Sequence, residues 1–322
     1  MNLLLTGCAG FIGARVSQLL LDRGDRVIGL DNLNDYYDVR LKLHRLRALE
    51  TNEGFVFYNA DVEDRVSLEK IFSEYSFDAV INLAARAGVR SSVENPGIYL
   101  STNALGTLNL LELMVAHGVS RLVVASTSSL YAGCAMPFVE SSNVTMPISP
   151  YAATKLAAEA LAQTWHHLYG INVAILRYFT VYGPAGRPDM SPFRFVEWMR
   201  RDRTLIVYGT GSQTRDFTYI DDIAAGTLAA LEVRGCEVIN LGGGGTALSV
   251  NEVIALIESG MDRKASVERL AENAADMHDT SADISKAGRV LKWKPLVTPL
   301  EGFRLTVDWH IENAAWLDDL VV

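Results

Sequence analysis

The first 180 residues alternate short, β-rich apolar runs with longer amphipathic stretches. The short runs are Leu3–Leu5, Arg26–Leu30, Phe55–Tyr58, Ala79–Leu83, Leu122–Ala125 and Asn172–Leu176. The stretches between them are long enough for crossover helices, which predicts a parallel sheet with helices on both faces. Helix punctuation agrees with this reading. Gly24, Gly118 and Gly170 fall where C-terminal caps belong, and Ser149-Pro150 supplies an N-cap and a first-turn proline just before Tyr151. The expected fold class is α/β: a Rossmann-type doubly wound parallel sheet over residues 1–178, followed by a smaller C-terminal substrate-binding domain over 179–322. The second region opens with the loop sequences Gly183-Pro184 and Gly186-Arg187-Pro188 and has no further regular alternation. Segments near 217–241, including Leu228–Leu231 and Val238–Leu241, are expected to return to the first domain.

A glycine-rich turn occupies the end of the first run. Gly7, Gly10 and Gly13 lie between a strand and an apolar helix beginning Phe11-Ile12, the setting in which small residues let the backbone approach a pyrophosphate. The helix N-terminus then offers unpaired N–H groups and a positive dipole end to the two phosphates. Asp31, at the end of the second run beside Asn32, is placed to accept bonds from the adenosine ribose and to repel a 2′-phosphate, which favours NAD over NADP. A local capping role for Asp31 is the alternative and leaves the cofactor open. Asp61-Val62 and Leu83-Ala84-Ala85 follow the third and fourth strands, at the sheet edge where such folds bind ligands. Gly242–Gly245 lacks the residues that flank a phosphate cradle and reads as a plain loop.

Composition narrows the partners. A 322-residue chain with 49% hydrophobic residues buries a large core, and a formal net charge of −9 argues against a broad nucleic-acid surface while leaving room for local basic spots that hold a diphosphate. Cys8, Cys134 and Cys236 show no paired or metal-like spacing, and the adjacent His166-His167 has no second ligand cluster. Free thiols and no metal are therefore expected. The run Leu3–Leu5 is too short for a signal core and no apolar run approaches ~20 residues, so the expectation is a cytoplasmic protein without a membrane partner.

Chemistry concentrates after the fifth run. Ser126-Thr127-Ser128-Ser129-Leu130-Tyr131 places hydroxyls at the nicotinamide edge of the sheet, and Tyr151 and Lys155 stand one helical turn apart. With Thr6–Gly13, Asp61-Val62, Asn82–Ala85, Arg177–Pro184, and Arg215-Asp216-Phe217 leading to Asp221-Asp222, these motifs resemble the extended short-chain dehydrogenase/reductase family, and within it the nucleotide-sugar epimerases, along nearly the whole chain. The resemblance implies Thr127 as catalytic hydroxyl, Tyr151 as acid/base, and Lys155 as the residue that holds the nicotinamide ribose and supports Tyr151. Tyr178 belongs to the cofactor set by the same resemblance. Free tyrosine titrates near pH ~10, so Lys155 and the nicotinamide cation are expected to favour the phenolate.

The substrate reading rests on fewer residues. Dehydratases of this family carry Asp-Glu after the catalytic threonine, and UDP-glucuronate decarboxylases carry a glutamate two positions after it. Here Ser128 and Ser129 stand there, which leaves 4-epimerisation. Asp31–Asp38 and Gly186–Met190 are similar to stretches of UDP-glucuronate 4-epimerases. Arg187 can hold a C6 carboxylate in a fork, with Thr180 and Ser128 or Ser129 adding hydroxyls. A loop arginine paired with Asp189 is the alternative, and then the substrate is UDP-glucose or an acetamido sugar. By resemblance Arg215 binds the diphosphate and Asp276 a ribose, and Arg90 and Arg194 are further phosphate or sugar contacts. The family also implies a homodimer formed through helices at Ile98–Val115 and Tyr151–Tyr169.

Overall fold

Leu3, Leu4 and Leu5 are all fully buried, yet they serve two different cores. Leu3 and Leu5 join Val16, Leu20, Leu46, Ile223 and Ile239 on one face of a sheet, whereas Leu4 joins Ile28, Leu68, Leu110, Met114 and Ile175 on the other. Successive strand residues point to opposite faces, so a run of three apolar residues is explained only by a sheet covered on both sides. Burying each such side chain contributes about 2 kcal/mol.

The structure, a computed structural model, describes residues 1–245, 247–271 and 277–322. Among the described residues, seven strands form the main sheet: β1 (Asn2–Thr6), β2 (Arg26–Asp31), β3 (Phe55–Asn59), β4 (Ala79–Asn82), β5 (Arg121–Thr127), β6 (Asn172–Tyr178) and β7 (Cys236–Leu241). Their spatial order is β7-β6-β5-β4-β1-β2-β3, and every pairing is parallel. The doubly wound α/β class read from the sequence is the observed one. The six strands expected from the apolar runs are joined by a seventh, β7, which lies beside β6 in the register Val238↔Ile175.

Helices Phe11–Asp22, Val39–Glu50 and Ile220–Ala229 cover one face, and Arg65–Glu74, Gly106–Ala116 and Pro150–Tyr169 the other. The chain reverses its winding between β1 and β4, and ligands of such sheets bind at the carboxyl ends of strands at that point. Beyond β6, short strand pairs (Thr180–Tyr182 with Phe217–Tyr219, Leu205–Tyr208 with Val267–Leu270) and helices Ser191–Arg200, Val250–Met261 and Pro299–Glu312 enclose a separate core around Val196, Leu205, Ile257 and Phe303. Gly242–Gly245 is a loop, as expected, and its Gly243 amide donates to the Asp216 carboxylate. His166 Nδ1 contacts the Ile171 carbonyl oxygen at 2.7 Å, so that ring is satisfied locally. No helix among the described residues is long and apolar enough to cross a membrane.

Candidate active site

A cleft of about 800 Å³ opens over the carboxyl ends of β1, β4 and β5. Its size is within the range of small-molecule sites. The turn at its floor is built from glycines for steric reasons. Gly7 has φ +74°, and a Cβ there would come within 2.8 Å of the Ala84 backbone nitrogen; one at Gly13 would come within 2.0 Å of the Gly7 carbonyl oxygen. Backbone thus packs directly on backbone. Gly10 begins helix Phe11–Asp22 with no side chain to cap it, so the first amides of the helix are left for a ligand at the cleft wall formed by Phe11, Ile12 and Gly13. A dinucleotide diphosphate fits this cradle.

Asp31 ends β2 at the same cleft. Its Oδ1 accepts from the Leu33 amide (2.9 Å) and from Lys42 Nζ (3.3 Å), and its Oδ2 accepts from the Ala9 amide (3.3 Å). Asn32 donates to Asp61 at 2.6 Å, tying the ends of β2 and β3 together. Val62, Leu83, Ala84, Ala85 and Tyr178 complete this part of the lining, and the Tyr178 hydroxyl pairs with Thr227 at 2.9 Å.

Thr127 is the last residue of β5, and its hydroxyl accepts the Ser129 amide at 3.1 Å. Opposite it, Ser149 caps helix Pro150–Tyr169 through the Ala152 amide (3.2 Å), and Pro150 occupies the first turn. That start fixes Tyr151 and Lys155 on one helical face at the cleft. Lys155 is 4% exposed and donates to the Ala125 carbonyl at 2.9 Å. Burial lowers its pKa to about 8, against the opposing charge of Glu159. Burial pushes the Tyr151 phenol up; a hydrogen bond with Thr127 and the charge of Arg187 pull the other way. Lys155 and the nicotinamide cation are the groups that the sequence leads one to expect to favour phenolate; in this geometry the Lys155 ammonium donates to the β5 carbonyl, and Thr127 and Arg187 oppose the effect of burial on the phenol.

Arg187 lies across the cleft with Asp189, its Nε donating to Oδ1 at 3.0 Å and Nη2 to Oδ2 at 2.5 Å. Burial works against both charges, and each outweighs it for the other, so the pair stays ionised. The pairing weighed as an alternative from the sequence is therefore present, although both side chains remain about one quarter exposed. Ser128, Ser129, Thr180, Arg90, Arg194 and Arg215 line the same cleft. The Arg90 guanidinium lies 4.3 Å from the Tyr208 ring centroid, Arg194 stacks over Trp198, and Arg215 donates to the Thr214 and His278 carbonyls. Every candidate residue that the structure describes thus lines one cavity; Asp276 lies outside the described residues.

The cleft is also lined by residues that the sequence reading does not name as site candidates, among them Tyr36, Arg86 and Lys42. Tyr36 packs over Arg187 and approaches Ser91 at 3.3 Å, Arg86 lies beside Ala85, and Lys42 pairs with Asp31. Lys42 had a legible signal: with Leu41, Arg45, Leu46 and Leu49 it falls on the buried face of helix Val39–Glu50, where a cation needs a partner.

The description "NAD dependent epimerase/dehydratase family" matches residues 3–242. The chain is 53% identical over 319 residues to the UDP-glucuronate 4-epimerase of Thermodesulfobacterium geofontis, covering 99% of each chain. It is 36% identical to UDP-glucuronic acid 4-epimerase from Bacillus cereus, solved in complex with UDP-glucuronic acid and NAD, with a TM-score of 0.91 over 97% of this chain and 99% of that one. UDP-glucose 4-epimerase from Thermotoga maritima, solved with UDP-glucose, is 32% identical with a TM-score of 0.88, covering 98% and 100%.

Proposed function

Because the chain belongs to the NAD dependent epimerase/dehydratase family, we infer that it is an NAD-dependent UDP-glucuronate 4-epimerase, interconverting UDP-glucuronate and UDP-galacturonate through a 4-keto sugar. Bound NAD would supply a reversible hydride acceptor at C4, so that return of the hydride to the other face inverts the sugar without net oxidation. The chain's own groups handle the proton and the positions. Tyr151 removes the C4 hydroxyl proton and later restores it, and Thr127 hydrogen-bonds the oxygen as it becomes a carbonyl. Lys155 holds the nicotinamide ribose. Gly7, Gly10, Phe11, Ile12 and Gly13 seat the diphosphate of the cofactor, and Asp31 and Asn32 receive its adenosine ribose.

Arg187 carries the choice of sugar. Its guanidinium lines the same cleft as Tyr151 and its charge acts on the phenol, which supports placing the C6 carboxylate of a sugar held at C4 beside it. Ser128, Ser129 and Thr180 support that carboxylate, and Arg90, Arg194 and Arg215 attract the UDP phosphates. A β-keto acid loses CO₂ when its carboxylate bond lies perpendicular to the carbonyl plane, so a fork that forbids this orientation protects the intermediate. Serines in place of an acid after Thr127 leave no second acid there for elimination.

We assign residues 1–178 and the returning segments near 217–241 to NAD, and most of 179–322 to the nucleotide sugar. A homodimer is proposed through the faces of Ile98–Val115 and Tyr151–Tyr169, supported by exposed Leu100, Leu105 and Leu168 and an apolar groove that includes Leu108 and Leu161. The cytoplasm, which holds both NAD and UDP-sugars, is the proposed location. Purified protein incubated with UDP-glucuronate should yield the C4-inverted sugar by NMR. Turnover of UDP-glucose with none of UDP-glucuronate would reassign the substrate and favour the Asp189-paired reading of Arg187.

A further inference from the structure

Arg45 is a cation on the apolar face of helix Val39–Glu50, only 6% exposed, and its partners are neutral oxygens. Nη1 donates to the Ala9 carbonyl (3.1 Å) and the Tyr37 hydroxyl (2.8 Å). Nε and Nη2 donate to the Ala185 carbonyl (3.0 and 2.7 Å), and Nη2 also donates to that of Gly186 (2.8 Å). The Phe11 and Tyr37 rings lie 6.0 and 5.7 Å from its guanidinium carbon. Burying a charge is costly unless its hydrogen bonds are made, and here the planar fork makes them to two distant segments at once.

Those segments are the two that the reaction must bring into register. Ala9 lies inside the dinucleotide cradle, between Gly7 and Gly10, the N-cap of helix Phe11–Asp22. Ala185 and Gly186 immediately precede Arg187. Ala185 has φ +52°, a left-handed conformation that is strained for a residue with a Cβ and persists only where its surroundings impose it. Two Arg45 donors on its carbonyl are such an imposition.

We propose that Arg45 is a positioning residue that fixes the Arg187 loop against the dinucleotide turn, so that the guanidinium of Arg187 meets the sugar carboxylate at a set distance from the redox centre. The proposal rests on the reading of Arg187 as the carboxylate fork. Its test compares binding of UDP-glucuronate with binding of UDP, which lacks the sugar carboxylate, by calorimetry on the full chain with NAD present. Arg45→Lys keeps the charge and stem, but one ammonium cannot span both segments; Arg45→Met removes the donors and serves as a second variant. Arg45→Lys should weaken UDP-glucuronate about tenfold and UDP less than about twofold, and should cost nothing further in an Arg187→Ala background. Equal weakening of both ligands, or the same loss with and without Arg187, would overturn the positioning role. If Arg187→Ala weakens UDP-glucuronate while Arg45→Lys leaves it unchanged, the positioning role alone fails. If Arg187→Ala itself leaves UDP-glucuronate unchanged, the carboxylate reading fails and takes this proposal with it.

Discussion

Arg177 and Arg187 make the same forked contact with a carboxylate, but one fork is sealed into the sheet and the other opens to the cleft. Arg177 donates to Glu159 at 2.9 and 2.7 Å, and both side chains are under 5% exposed. Glu159 also accepts from Ser126 at 2.5 Å, and Arg177 donates to Tyr131, which in turn donates to Asn240 at 2.7 Å. This network ties β5, β6, β7 and helix Pro150–Tyr169 together and leaves no room for a ligand. The Arg187–Asp189 fork has comparable distances but borders open volume, so its guanidinium can exchange or share partners. Ion-pair geometry is the same in both; what lies beside the pair separates a frame from a proposed recognition site.

The comparison breaks if the sealed fork proves dispensable. Glu159→Ala strands a buried guanidinium and should destabilise the fold by about 3–5 kcal/mol in chemical denaturation. A loss under about 1 kcal/mol would place the two forks in one class.

Lys155 sharpens the contrast, because it is buried with its ammonium on a carbonyl and not in a fork. Its pKa falls from 10.5 to about 8 on folding, so the unfolded chain binds the proton more tightly between these values and stability rises with pH across that window. At one pKa unit per ~1.4 kcal/mol, wild type should gain up to about 3 kcal/mol relative to Lys155→Met from pH 8 to 10.5. Parallel stability curves for the two proteins would show that burial imposes no such penalty.

Arg187→Ala should leave the unfolding midpoint within about 1 kcal/mol of wild type while lowering kcat/KM for UDP-glucuronate roughly 100-fold. NAD affinity should be unchanged. Equal losses in cofactor binding and turnover would point to misfolding and remove the distinction from Arg177.

The cofactor side of the cleft was far more legible in the sequence than the sugar side. Its parts are local: a glycine spacing, apolar strand runs, a Ser149-Pro150 helix start and a Tyr/Lys pair one turn apart. The small lobe is built from strands of two to four residues, such as Thr214–Arg215, too short to carry a period. Charges on an amphipathic helix are ordinarily assigned to its solvated face; helical spacing puts Lys42 and Arg45 on the face of Leu41, Leu46 and Leu49, but only tertiary contacts show which partners they meet there. The origin of the pull on Tyr151 was likewise hidden, since neither the Ala125 carbonyl that engages Lys155 nor the approach of Arg187 follows from spacing along the chain.

The central claim is inversion at C4 by removal and return of the same hydrogen. UDP-glucuronate carrying deuterium at C4, incubated with the enzyme and followed by NMR, should give UDP-galacturonate that retains deuterium at C4. Inversion with solvent hydrogen at C4, or an unaltered C4 centre, would contradict it.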